Sequence, residues 1–234
     1  MSSLDDWITK LPKENRCFAS EIASELWDVF RDLDKKHYLL TTLAMPERKN
    51  FLNIILTSNG LTSAFNMLFV IPTPQGRLIY GRNREFVEHN KKYGFNEKLY
   101  LYLLFSESVS VFLRNIELFR SCLLFVLKTV PMNVANKYEY PFYDVMGIGT
   151  LLRQIAKCTG ASGERIRKRV NKDLRNGLTH GLVWIDGSNI FYSKDITFTE
   201  IGQVGLDELW KEASYQSIVT QCLINLIPAW YSTA

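Results

Sequence analysis

Along most of this chain apolar residues recur at three- and four-residue steps, the spacing that lines up side chains on one face of a helix. Phe18, Ile22, Leu26, Val29, Phe30 and Leu33 keep that spacing behind Pro12, which suits a first helical turn, and predict a helix running to about Leu43. A shorter helix is expected from Pro46, after Met45, carrying Phe51, Ile54 and Ile55 until Asn59-Gly60 stops it. Phe65 to Tyr80 fits either a hairpin or an irregular cover, and Asn83 to Tyr93 predicts a short charged helix that Gly94 ends. Leu99, Leu103, Val109, Phe112, Ile116, Phe119, Leu123 and Val126 predict one long helix from Asn96 to Lys128, before Pro131, with a polar stripe of Glu107, Ser110, Arg114 and Glu117. A loop rich in Tyr and Asn then leads to a helix near Val145 to Cys158, broken at Thr159-Gly160.

Beyond that break the period stays helical and then changes. Ile166, Val170, Leu174 and Leu178 recur every four residues and predict a single amphipathic helix with Ser162 as N-cap and Gly181 just past its end. Leu182-Val183-Trp184-Ile185 and Asn189-Ile190-Phe191-Tyr192, joined through Asp186-Gly187-Ser188, predict a β-hairpin. A last helix is expected from about Leu206 to Leu226, ended by Pro228. The expected fold is therefore mainly α with a short β-hairpin, divided into an N-terminal, mainly helical extension over 1–95 and a helical bundle over 96–234.

Composition changes this picture in one place. Of 234 residues 47% are apolar and 22% charged, an ordinary globular mixture, and the formal net charge is +4. Between Glu164 and His180 six Lys or Arg stand against two acidic residues, so this one helix carries the net charge of the whole chain. Cys17, Cys122, Cys158 and Cys222 are far apart and form no Cys-x-x-Cys pair, and three His give no zinc-site spacing. They are read as buried, reduced thiols. No apolar stretch is long enough to span a bilayer, so a cytoplasmic protein without membrane association is expected.

Three residues of the basic helix carry the most chemistry. Asn176 and His180, four apart, share a face, while Arg175 lies ~140° of helical rotation from His180. His exchanges protons near neutrality and Arg forks onto phosphate oxygens, a pairing suited to phosphate chemistry. A cation in the last helical turn is also what the macrodipole favours, by about 0.3–1 kcal/mol. Arg165, Arg169 and Lys172 stand on one side and suit a phosphate backbone, with a solvated helix face as the other account. His37 and His89 read as surface residues; Trp184, Phe191 and Tyr192 read as core and cross-strand pairs rather than a base-stacking platform. No Gly-rich phosphate loop, His-Glu-x-x-His or Ser/His/Asp array supports another enzyme class.

The order Arg175-Asn176, three residues, His180-Gly181 at the end of a basic helix resembles the Arg, polar residue, His signature of HEPN domains, many of which are ribonucleases. From about residue 97 the order long helix, helix, basic helix, hairpin, helix is similar to the HEPN up-and-down bundle. The resemblance implies a metal-independent endoribonuclease of the toxin or defence type, with no cofactor. In it Arg175, Asn176 and His180 act on RNA that Arg165, Arg169 and Lys172 help to hold. It also implies a homodimer, with its site at the two-fold axis, and an antitoxin protein as partner. A non-catalytic HEPN-like module that binds nucleotide, RNA or protein is the alternative.

Overall fold

The computed structural model describes residues 3–41, 97–127, 146–194 and 197–233. The chain is mainly helical there, with one small antiparallel sheet. The helices predicted after Met45 and over Asn83 to Tyr93, the stretch from Phe65 to Tyr80 and the Tyr/Asn-rich loop lie outside the described residues. In chain order the elements are α1 (Ser3–Lys10), α2 (Lys13–Asp34), α3 (Glu97–Val126), α4 (Ile148–Thr159), α5 (Ala161–Lys168), α6 (Lys172–Thr179), β1 (Val183–Asp186), β2 (Asn189–Ser193), β3 (Ile201–Gly205) and α7 (Leu206–Thr233).

These elements form two compact units: Met1–Asn59 with Ile116–Val170 and Ile218–Ala234, and Gly60–Asn115 with Asn171–Ser217. The division expected at residue 95 is not where the units separate, because α2 packs on α4 and α5 rather than standing apart as an extension. In the first unit Ile22, Leu26, Val29, Phe30 and Leu33 of α2, Ile116, Phe119 and Leu123 of α3, and Ile148, Leu151, Leu152 and Ile155 of α4 are almost wholly buried. Leucine, isoleucine and phenylalanine at these positions remove from water the apolar stripes that the periodicity predicted, the dominant favourable term in folding. Cys122 and Cys222 belong to this core and burial pushes each thiol up to about 12, but Cys17 is exposed, contrary to the expectation for all four.

α2 stops at Asp34 instead of running to Leu43, and backbone geometry gives the reason. His37 takes a left-handed φ of 59°, the Tyr38 N–H donates to Leu33 O at 3.0 Å and the His37 N–H to Asp34 O at 2.8 Å. This is a Schellman closure with His where Gly is usual. The chain then bridges Leu39 to Leu127. Pro228 likewise does not end the last helix, which continues to Thr233. Leu226, Ile227 and Ala229 are buried and Trp230 packs edge-on against Trp27 and Phe30, so packing outweighs the one hydrogen bond that proline removes.

The largest departure concerns the basic stretch, which forms two helices rather than one. Ile166, Val170, Leu174 and Leu178 are all buried, as the four-residue spacing predicts. The helix is nevertheless interrupted after Lys168, where Asn171 caps α6 by accepting the Leu174 N–H on its Oδ1 at 3.1 Å. Asparagine competes for backbone donors and so favours such a restart. Ser162 is not the N-cap of α5; it lies in the first turn and its Oγ donates to Asp32 Oδ2 at 2.8 Å.

That contact is the first rung of a ladder on α2. Arg165 Nη2 meets Asp28 Oδ2 at 2.9 Å, and Arg169 forks onto Glu25 through Nε at 3.0 Å and Nη2 at 2.8 Å while also reaching Glu21. Asp32, Asp28, Glu25 and Glu21 thus match Ser162, Arg165 and Arg169 in antiparallel order. The Glu25 hydrogen bond, reinforced by Glu21 and only partly offset by burial, holds the Arg169 guanidinium above its ordinary range. Glu25 is only 7% exposed, so Arg169→Ala leaves a buried carboxylate without its fork. We expect a loss of about 1.5–3 kcal/mol in a urea titration, the range for hydrogen bonds to charged groups, with little change for the solvent-facing Lys168→Ala.

Candidate functional site

In the second unit α6 lies on the sheet, and glycine sets the approach. A Cβ on Gly177 would stand 2.8 Å from Tyr192 Cβ, and one on Gly202 would stand 2.3 Å from Tyr192 Cζ, so the tyrosine ring is gripped between α6 and β3. Tyr192 is accordingly buried, as are Ile190, Val204 and Leu209. β3 went unpredicted because Ile201-Gly202-Gln203-Val204-Gly205 carries two glycines, which weaken a strand signal, whereas Gly202 is needed to admit the ring. The sheet runs β1-β2-β3, each pair antiparallel. The hairpin turns at Gly187-Ser188, with Gly187 at φ 58°, as the Asp-Gly signal predicted.

The three candidate catalytic residues sit at the end of α6. Asn176 is in its last full turn, His180 is its C-cap and donates its backbone N–H to Asn176 O at 3.0 Å, and Gly181 follows at φ 67°. The Leu182 N–H then donates to Gly177 O at 2.9 Å and closes the turn into β1. Arg175 Nη1 donates to Asn176 Oδ1 at 3.4 Å, a contact between neighbours on the helix. Arg175 and Asn176 are half-buried and His180 is exposed.

The candidate RNA-binding residues divide differently. Lys172 belongs to this unit and its Nζ meets Asp173 Oδ1 at 2.9 Å. Arg165 and Arg169 belong to the first unit, where both hold α5 to α2. All three therefore carry an acidic partner within the chain, Arg165 and Arg169 from carboxylates far away in sequence and Lys172 from its neighbour Asp173. The isolated Gly177 inside a helix was the one signal that could have pointed to the Tyr192 lock.

Among the described residues of this unit two titratable groups are shifted. Burial, then Asp173 and Glu212, raise the Tyr192 phenol, and burial followed by Glu208 raises the half-buried Glu212 carboxyl above its ordinary 4.5. A carboxyl that binds its proton more tightly in the folded chain lowers stability as pH rises through that raised value. Glu212→Gln should therefore melt higher than the parent at pH 7, and the two melting temperatures should converge below about pH 4, where Glu is protonated in both states. Thermal melts followed by circular dichroism at both pH values check this.

Among the described residues no helix is long and apolar enough to cross a membrane, and no three His, Cys, Asp or Glu are grouped to hold a metal ion. No protein-family model, curated protein or solved structure matches this chain.

Proposed function

We propose that this chain is an endoribonuclease of the HEPN type that cleaves RNA through Arg175, Asn176 and His180. The observation that carries the reading is the Arg175 to Asn176 hydrogen bond one helical turn before an exposed His180. In this reading the guanidinium, otherwise ~140° round the helix from His180, swings toward the face that Asn176 shares with His180, where a phosphodiester would meet both. In the reaction the ribose 2′-oxygen bonds to the neighbouring phosphorus as the bond to the 5′-oxygen breaks. His180 takes the 2′-hydroxyl proton, a proton returns to the leaving oxygen, and Arg175 steadies the phosphorane charge. Asn176 orients the guanidinium. The products are a 2′,3′-cyclic phosphate and a 5′-hydroxyl.

A mixed RNA substrate incubated with the protein in EDTA tests this by end-group analysis. Cyclic phosphate termini are expected, and products with other ends, or no cleavage, count against it. In the same reading the protein is cytoplasmic, slows growth when induced, and is neutralised by an antitoxin partner. A binding-only module would instead be harmless on induction and hold RNA with a steep salt dependence.

The active species in this proposal is an isologous homodimer in which the two helix ends approach, each Arg175 near the partner chain's motif. Mixed and refolded Arg175→Ala and His180→Ala chains are expected to recover part of the lost activity, because the heterodimer regains one site with both groups. Sedimentation that finds only monomer at concentrations giving full specific activity removes the composite site.

A further inference from the structure

The sheet beside this motif splits the hairpin aromatics between its faces. Tyr192, with Ile190 and Val204, points to the buried face. Trp184 and Phe191, paired across β1 and β2, point to the other, with ring centroids 5.3 Å apart and planes within 10°. Trp184 is 44% exposed. β1 is an edge of the sheet, so among the described residues no strand lies beyond it, and the indole stacks on Phe191 while staying substantially exposed. Strand alternation and register put the exposed Gln203 in the same row beyond Phe191, and the exposed Asp186 opposite Asn189 in the next row.

We infer that this face is a nucleobase subsite, in which one unpaired base of a single-stranded RNA continues the Phe191-Trp184 stack. The inference rests on the ribonuclease reading above and extends it from the scissile phosphate to a neighbouring nucleotide. Flat rings stack on any base, and the exposed Asp186 carboxylate, two residues on from Trp184 on the same face of β1, can accept from the hydrogen-bonding edge of a base. Trp184 follows His180 by four residues, which limits their separation to about 14 Å of extended chain, a span that a few nucleotides cover.

The test uses the full chain with His180→Ala, so that RNA stays intact. Fluorescence anisotropy measures binding of an eight-nucleotide single-stranded RNA and of an abasic ribose-phosphate chain of equal length. Adding Trp184→Ala should weaken RNA binding by about tenfold and leave the abasic chain unaffected, while Trp184→Phe retains most of the affinity. The slope of affinity against salt should not change, since no phosphate contact is lost. Equal RNA affinity with and without Trp184 overturns the subsite. If wild-type protein still cleaves through His180 in that case, the ribonuclease reading stands alone. Failure of the parent to bind either probe removes both readings. A change in sedimentation of the RNA-free protein on Trp184→Ala would make the face a contact between copies, and overturns the inference too.

Discussion

For the proposed ribonuclease, His180→Ala is expected to lower the rate of RNA cleavage by about 10²–10⁴-fold, the range that a positioned general acid or base contributes. The prediction is specific because of where the side chain sits. His180 is exposed at the C-cap, and the bond that closes the helix there is made by its backbone N–H to Asn176 O, which alanine keeps. The fold loses at most the dipole interaction of a terminal cation, about 0.3–1 kcal/mol. Activity and stability are therefore expected to separate: single-turnover cleavage in EDTA should collapse while the thermal melt barely moves. Arg175→Ala should also lose cleavage, because it removes both the charge at the phosphate and the hydrogen bond to Asn176. A variant lacking His180 that cleaves at the wild-type rate ends the ribonuclease reading, whatever else the chain binds.

Leu174→Ala costs about 2–5 kcal/mol of stability, the range for removing three buried carbons and leaving a cavity. Leu174 is fully buried on α6, and that helix docks on β2 through the close approach of Gly177 to Tyr192, so little room exists for neighbours to move in. Its backbone N–H also donates to the Asn171 Oδ1 cap that starts the helix. A denaturant titration followed by circular dichroism should show the midpoint falling for Leu174→Ala and unmoved, within about half a kcal/mol, for Lys168→Ala. Equal effects would mean that the apolar face of this stretch is misassigned. Because α6 carries Arg175 and Asn176, Leu174→Ala should also reduce cleavage, but in step with unfolding rather than ahead of it.

Features decided by neighbours in sequence were legible before any coordinates. Apolar spacing placed α2, α4 and the long α3, and it picked out Ile166, Val170, Leu174 and Leu178 as buried. Glycine marked the break at Gly160, the end of α6 at Gly181 and the hairpin turn at Gly187, all at positive φ. The candidate motif was equally visible, since Arg175, Asn176 and His180 lie within six residues. These features need only the helical repeat and the φ restrictions of single residues, both of which act over a few bonds.

Contacts between residues far apart in sequence decided the rest. Whether the basic residues were free for a ligand depended on Glu21, Glu25 and Asp28, more than 130 positions away. The path of α7 through Pro228 depended on Trp27 and Phe30, and β3 on a tyrosine ring that requires Gly202. The hairpin aromatics were expected as core and cross-strand pairs, but only pairing with β3 and docking of α6 settled that Tyr192 goes inside while Trp184 stays at the edge. The sequence by itself determined where the chain can be helical and where it must turn, because those choices are local. Which faces meet, and therefore which charges are neutralised and which rings remain exposed, is fixed by packing alone, since the burial of one surface depends on the shape of another that local spacing does not encode.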